Sequence, residues 1–290
     1  MRGGQHQVLL LMHSLREKGH DCVLLARDGG PLAKAAAAAD FAVYPAGPGQ
    51  LWTRSRSADV VHTHDARAHT LAAVASRQRF VASRRVAFPV GRSITSVWKY
   101  RRASRFVTVS QFVARELRRA GVCREKIDVV YDAAPPVVGD GSWSAAHPAV
   151  ALASEDPQKG RDIAAAAAQI AGIAVRFSDD LVNDLRRASM FVYITRSEGL
   201  GSAALVAMSM GVPVIASAVG GLSEVVESGE SGLLVKNDPQ EIAASMRRIV
   251  EEPALTERFI ANGRRRIEAA FTPEHLVGGT LMSYERAFAS

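Results

Sequence analysis

The chain has 290 residues, 48% of them apolar and 22% charged, which excludes a disordered or low-complexity polymer and suits two domains of about 100–150 residues each. Its net charge of +7 is uneven: residues 1–145 hold 22 Lys and Arg against 11 Asp and Glu, residues 146–290 hold 14 against 18. No uncharged run approaches the roughly 18 apolar residues of a spanning helix, and Arg16, Glu17 and Lys18 stand where a secretory leader would need its cleavage site. Cys22 and Cys123 suggest neither a disulfide framework nor a zinc site, so a cytosolic chain is expected.

A helix over 5–18 follows from Val8, Leu11, Met12 and Leu15 at helical spacing, with Gly19-His20 closing it. Short β-branched runs at 22–26, 41–44, 60–64, 80–83, 106–109 and 127–131 alternate with amphipathic segments, the pattern of a parallel sheet covered by helices. The helix after Ser110 has a serine cap and offers Phe112, Val113, Leu117 and Ala120 to a core; His69 reads as helical surface. Residues 133–148 are rich in Pro, Gly and Ala and break the rhythm, which places a linker at 138–148. Strands then recur at 150–153, 174–177, 191–195 and 212–216, with helices at 161–171, 181–188 and 202–210. Asp238, Pro239 and Glu241 announce another helix. Thr272-Pro273 opens the last one, with Val277, Leu281, Tyr284 and Phe288 on one face. The expected fold is α/β: two Rossmann-like doubly wound domains, 1–137 and 149–272.

Between Asp65 and Glu116 there is no acidic residue, while Arg67, Arg77, Arg79, Arg84, Arg85, Arg92, Lys99, Arg101, Arg102, Arg105 and Arg115 fall in that stretch. Such a one-sided field attracts phosphates on nucleic acid, a membrane surface or an anionic substrate; the plain alternative is a solvated arginine-rich face. A nucleic-acid-binding module has little support, since few aromatics interleave the arginines and no zinc finger or recognition motif is present.

Residues 196–224 (RSEGLGSAALVAMSMGVPVIASAVGGLSE) carry the most chemistry. A buried strand ends at Thr195, a Glu-Gly-Leu-Gly loop follows, and a helix of small residues begins. A helix N-terminus after a glycine loop at the carboxyl end of a parallel strand is suited to an anion. Glu198 on that loop is placed to accept hydrogen bonds from sugar hydroxyls. Gly220 and Gly221 mark a second loop on the same rim, and Glu224 is a candidate cap for the helix after it.

This window, continued through 229–235 (GESGLLV) and Asp238-Pro239, resembles the donor signature of family 4 (group 1) glycosyltransferases of GT-B architecture. Upstream, Gly3-Gly4, Gly19-His20, 58–64 (ADVVHTH) and 107–111 (VTVSQ) follow the same family in order. The resemblance implies two Rossmann-like domains facing across a cleft, with the final helix, 273–290, completing the first. It implies transfer of a sugar, with retention, from a nucleotide diphosphate sugar to a hydroxyl of a lipid-linked, lipopolysaccharide or other glycan acceptor. In that chemistry the leaving phosphate helps to deprotonate the acceptor.

Residue by residue, Glu198 matches the acidic residue that contacts the transferred sugar, and Lys159 a phosphate ligand. Gly199, Leu200, Gly201 and Ser202 form the rest of the donor loop. Gly3 and Gly4 match an acceptor-side loop, and His64 an active-site histidine near the acceptor. His62 is the lesser candidate, because alternation is expected to turn one of the pair into the sheet's flank. The plainer alternatives are a capping carboxylate for Glu198, a solvated loop lysine for Lys159 and a helix start for Gly3-Gly4.

The sequence departs from the family at three places. Val206 stands where a second Glu would hold ribose, Ser154 where an Arg would hold phosphate, and the second domain is one βα unit short. A non-catalytic GT-B-like protein with a degraded donor site is therefore the alternative reading. No Asp-x-Asp motif is present, so neither a metal nor a cofactor is expected; the nucleotide sugar is a substrate. The expected partners are a nucleotide sugar, a glycan or lipid-linked acceptor, and the inner face of a membrane through the basic 67–115 region, with no nucleic acid. Finally, Gly3-Gly4 leave no room for an opening strand. A slot in the first sheet and a reading frame beginning upstream are the corresponding expectations.

Overall fold

The computed structural model describes residues 1, 3–88, 91, 93–136 and 143–289. The chain divides into two compact units, one of Met1–Asp132 with Pro273–Ser290, the other of Ala133–Thr272. Arg92 and residues 138–142 of the expected linker lie outside the described residues.

The first unit runs α1 (Gly3–Glu17), β1 (Val23–Ala26), α2 (Pro31–Ala38), β2 (Ala42–Pro45), α3 (Pro48–Arg54), β3 (Val61–Thr63) and α4 (Ala66–Ala75). It continues through β4 (Phe80–Arg84), α5 (Ile94–Arg102), β5 (Arg105–Thr108), α6 (Gln111–Arg119) and β6 (Ile127–Val129). The second runs β7 (Ala149–Leu152), α7 (Arg161–Ala171), β8 (Val175–Ser178), α8 (Leu181–Leu185), β9 (Met190–Tyr193) and α9 (Ser202–Ser209). It ends with β10 (Val214–Ser217), α10 (Leu222–Val225), β11 (Leu233–Val235), α11 (Pro239–Glu251) and α12 (Pro253–Ala270). The last helix, α13 (Pro273–Ala289), belongs to the first unit.

Among the described residues the parallel strands of the first unit form two sheets, β1-β2 and β3-β4-β5-β6. Leu25 of β1 and Val61 of β3 pack against one buried cluster that includes Phe80, Phe106 and Leu117. The two sheets therefore share a core although no strand pairing joins β1 to β3 among the described residues. Helix α1 buries Val8, Leu11, Met12 and Leu15 as their spacing requires, and Ser110 caps α6 by accepting the Val113 N–H at 3.1 Å.

Gly3 and Gly4 are not a loop: they form the first turn of α1, and a Cβ on Gly4 would sit 3.5 Å from Arg85 Cδ. His69 is not surface either. It is 6% exposed on α4, with its ring against Phe80, Tyr100 and Phe106. Helix α13 packs on α1, β4, β5 and β6 through a face rotated from the expected one. Leu276, Val277, Thr280, Ser283 and Ala287 are buried, whereas Phe288 is 53% exposed. Close approach explains the rotation: a Cβ on Gly279 would stand 3.0 Å from Val130, so small side chains make this contact.

The second unit is one five-stranded parallel sheet in the order β11-β10-β9-β7-β8. Met190, Val192 and Ile215 are fully covered by Ala164, Ala167, Ile242 and Met246 of α7 and α11. Counted within the unit, the strand order is 2-1-3-4-5. The chain leaves β7 toward β8 on one side and β9 toward β10 on the other. The switch point therefore lies between β7 and β9, and the carboxyl ends of the strands at such a point form the crevice where ligands bind in open α/β sheets.

Candidate active site

The loops after β7 and β9 carry Lys159 and Glu198, so the switch point brings together two residues far apart in sequence. Asp156 opens a short 3-10 turn at Pro157–Lys159, accepting the Gln158 N–H at 2.9 Å. Gly160 then adopts φ +55, and a Cβ there would meet Ile194 Cγ2 at 2.6 Å; only glycine lets the Lys159 turn close down on β9. The Gln158 carbonyl accepts the Arg196 N–H at 2.8 Å and also lies 3.0 Å from Thr195 Oγ1, which ties the turn to the Glu198 loop.

Lys159 Nζ donates to Glu198 Oε2 at 2.9 Å, and the Tyr193 hydroxyl donates to the same oxygen at 2.5 Å. Glu198 Oε1 accepts the Gly199 N–H at 3.0 Å. Tyr193 is buried, and burial, reinforced by the neighbouring Glu198 carboxylate, pushes its phenol well above the usual tyrosine range. It therefore stays a neutral donor. Gly220 and Gly221 press on this loop from β10: the Gly221 N–H donates to the Glu198 carbonyl at 3.1 Å, and a Cβ on Gly220 would stand 2.0 Å from that oxygen.

Gly201, at φ +111, caps α9, and its carbonyl takes the Ala204 N–H at 2.9 Å. Among the described residues the Ser202 and Ala203 N–H groups have no hydrogen-bond partner. They are the free donors that a helix N-terminus presents to an anion. Leu200 is 2% exposed and anchors the loop in the core. Val206 lies one turn beyond Ser202 on α9, half-buried and without a polar group to offer. Ser154 Oγ accepts the Asp156 N–H at 3.3 Å, so it shapes the Lys159 loop.

Two groups here were not anticipated from the sequence. One is Tyr193, whose only sequence signal is a phenol within a buried apolar strand. The other is a partly buried relay in which Ser217 Oγ accepts the Thr195 N–H at 2.9 Å and donates to Asn237 Oδ1 at 2.6 Å, while Asn237 Nδ2 returns to the Thr195 carbonyl at 2.9 Å. All three lie at or beyond the carboxyl ends of β9, β10 and β11, which is the signal that could have found them.

In the first unit, His62 and His64 face the same side of β3, with ring centroids 4.1 Å apart. The expectation that alternation would separate them is wrong, because residues two apart share a face. His62 lies 2.8 Å from both the Tyr284 hydroxyl and Ser83 Oγ. Burial, with Arg85 nearby, drops its pKa to about 3. Burial, then His62 and Arg85, holds His64 well below the usual histidine range, so its imidazole is neutral and Nδ1 is buried with no partner. Arg85 is paired with Asp132. Of this pair, His64 thus has the free ring nitrogen, and His62 is tied up in structure. Among the described residues no group of three or more His, Cys, Asp or Glu could hold a metal ion.

A family model described as "Glycosyl transferases group 1" matches residues 140–266, and one described as "Glycosyltransferase Family 4" matches residues 1–135. Between them they span nearly the whole chain, and the chain belongs to the group 1, family 4 glycosyltransferases of GT-B fold. A D-inositol 3-phosphate glycosyltransferase of Nocardioides sp. is 35% identical over 160 residues, 53% of this chain and 34% of that protein. The capsular polysaccharide biosynthesis glycosyltransferase CapM of Staphylococcus aureus is 30% identical over 103 residues, 35% of this chain and 27% of that protein. These matches span about a third of the length of such relatives.

Among solved structures, HepE of Anabaena in complex with UDP and glucose superposes with a TM-score of 0.83 at 17% identity, covering 98% of this chain and 96% of that one. Sucrose-phosphate synthase of Thermosynechococcus elongatus gives 0.75 at 18%, covering 99% and 94%. At such identities the likeness is one of fold.

Proposed function

We propose that the chain transfers a sugar, with retention, from a nucleotide diphosphate sugar to a hydroxyl of a lipid-linked, lipopolysaccharide or other glycan acceptor. The observation that carries this reading is the Lys159–Glu198 pair beside the open N-terminus of α9 at the switch point of the second sheet. A cation and free N–H groups suit the diphosphate, and a carboxylate suits the sugar hydroxyls. That HepE of the same fold is held with UDP and glucose supports it.

In this reading the anomeric C–O bond to the diphosphate breaks and a new one forms to the acceptor oxygen, while the acceptor proton passes to the leaving diphosphate. Lys159 and the Ser202 and Ala203 N–H groups stabilise the charge growing on the diphosphate, an electrostatic contribution that counts most where water is excluded. Glu198 holds the sugar. His64, neutral and with Nδ1 free, is the acceptor-side candidate.

Calorimetry against a panel of nucleotide sugars tests the reading. Glu198→Ala should weaken nucleotide-sugar binding while leaving the free nucleoside diphosphate nearly unchanged. Absence of any nucleotide binding would favour instead a non-catalytic protein, the reading to which Val206 and Ser154 point.

A further inference from the structure

We infer that the outward face of α5 is a docking surface for an anionic lipid bilayer. Ile94, Val97, Trp98 and Arg101 recur at the spacing of one helix face. Ile94 is 90% exposed, Trp98 46% and Val97 41%. No residue of this nine-residue helix is buried.

The helix is attached by its other side. Tyr100 stacks on Phe106 with centroids 5.3 Å apart, His69 Nε2 lies 3.2 Å from the Lys99 carbonyl, and Arg102 Nε donates to the Ala73 carbonyl at 3.3 Å. An amphipathic helix on a water-soluble surface ordinarily turns its apolar stripe inward; α5 does the reverse. Val86 and Phe88, just upstream, are also exposed. Five of the thirteen large apolar side chains exposed among the described residues therefore fall within 86–98. Clustering of this kind marks an interaction surface, whereas single exposed apolar residues do not.

The charge around the stripe selects the partner. Arg101 stands on the exposed stripe, Lys99 and Arg102 flank it from the attached side, and no acidic residue occurs anywhere from 66 to 115. The stripe therefore favours an anionic partner and disfavours a second copy, which would set arginine against arginine. A bilayer carrying anionic headgroups answers both halves of the face. Ile94, Val97 and Trp98 enter the boundary between headgroups and acyl chains, while the cations stay with the phosphates. Nucleic acid would use the cations and leave the apolar residues in water. At nine residues α5 lies on the bilayer, and no helix among the described residues is long and apolar enough to cross it.

The inference supplies the partner surface for a lipid-borne acceptor and rests on that reading for its use. Its measurement does not, because vesicle binding is read without nucleotide or acceptor. The full chain is sedimented with vesicles of phosphatidylcholine alone or with added phosphatidylglycerol. It should bind the latter selectively, and salt should weaken the binding. Replacing Ile94→Ser and Trp98→Ser together should lower the partition constant about tenfold or more, with circular dichroism unchanged because both side chains are exposed. Met282→Ser, an exposed apolar residue on α13, should leave binding as it was. Equal binding by the double variant and the native chain, no selectivity for phosphatidylglycerol, or a dimer that the double variant dissolves would each overturn the inference. A chain that binds vesicles but no nucleotide sugar leaves this surface standing and sinks the transferase reading; the opposite pattern separates them the other way.

Discussion

Lys159 Nζ lies 2.9 Å from Glu198 Oε2 although 39 residues separate the two in sequence. The contact exists because β7 and β9 are neighbours while their following helices turn away from each other. Both partners are about three-quarters or more shielded, with side chains 28% and 18% exposed. Both Glu198 oxygens already accept hydrogen bonds, from Lys159, Tyr193 and the Gly199 N–H. Lys159 keeps two further N–H donors and the carboxylate about one further acceptor site, so an incoming diphosphate and sugar can join this cradle without breaking it.

Tyr193 is the test of that arrangement. Tyr193→Phe keeps the ring stacked on Phe191 at 5.5 Å but removes the hydroxyl that fixes Glu198. A hydrogen bond to a charged group contributes roughly 1.5–3 kcal/mol, so nucleotide-sugar affinity should fall about tenfold or more. Free nucleoside diphosphate, which lacks the sugar, should bind as before. Calorimetry with both ligands decides it; equal losses for the two would make Tyr193 a general support of the loop.

Val206 offers a gain rather than a loss. It lies one turn along α9 from Ser202, on the helix whose N-terminus is open. The family resemblance implies a ribose-holding carboxylate at that place. Val206→Glu should tighten nucleoside diphosphate binding by about tenfold if it gains a charge-assisted pair worth roughly 1.4 kcal/mol or more. Weaker binding in this variant, beside tight binding by the native chain, would mean that the pocket is rebuilt for a different donor.

The legible and illegible parts of this molecule divide along physical lines. Periodicity and caps mark both ends of α1 and α7 to within two residues and the start of α11, because these helices bury one regular stripe and carry Gly, Pro or Asp at their ends. The glycine loops were legible because close backbone approach tolerates no Cβ, as Gly160 and Gly220 show. What could not be read was side-chain company across elements. The burial of His69 comes from three rings on three other elements. The rotation of α13 comes from Gly279 against Val130, a contact that hydrophobic spacing alone hides. Gly3 and Gly4 were misassigned because a glycine pair at a chain start suits a loop and a first helical turn equally well.

Asp128 shows how α13 is locked to the first unit. Arg105 grips it with two bonds of 2.6 and 2.9 Å, Ser283 Oγ donates at 2.8 Å and Arg286 at 2.7 Å. Burial works to raise the pKa of this carboxyl, but the hydrogen bonds from Arg105, Ser283 and Arg286 hold it below the usual aspartate range. Asp128→Ala would leave Arg105, itself only 11% exposed, charged and unpaired, a loss that typically costs about 3–5 kcal/mol. Arg286→Ala should cost under about 1 kcal/mol, since that side chain is 59% exposed and screened. Urea unfolding followed by hydrogen exchange should show the Asp128→Ala loss in the first unit while amides of β9 and β10 keep their protection.

The last prediction concerns pH. His69 is packed among Phe80, Tyr100 and Phe106, and burial, followed by the charge of Lys99, lowers its pKa to about 4 from 6.5. Between those values the unfolded chain binds a proton at this site that the folded chain refuses. Stability therefore rises with pH through the window and is lost as pH falls from 6.5 toward 4. Its contribution is fully present above pH 6.5, and the loss between pH 7 and pH 5 should be about 2 kcal/mol. His62, with its pKa near 3, acts in the same direction and extends the decline further into acid. His69→Phe keeps an aromatic ring in the cluster but gives up the contact with the Lys99 carbonyl. That variant should be less stable at pH 7 and should lose less between pH 7 and pH 5, so the two urea-stability profiles converge in acid. Parallel profiles would mean that His69 titrates alike in the folded and unfolded chain, and the acid loss would then have to come from other groups, His62 and His64 among them.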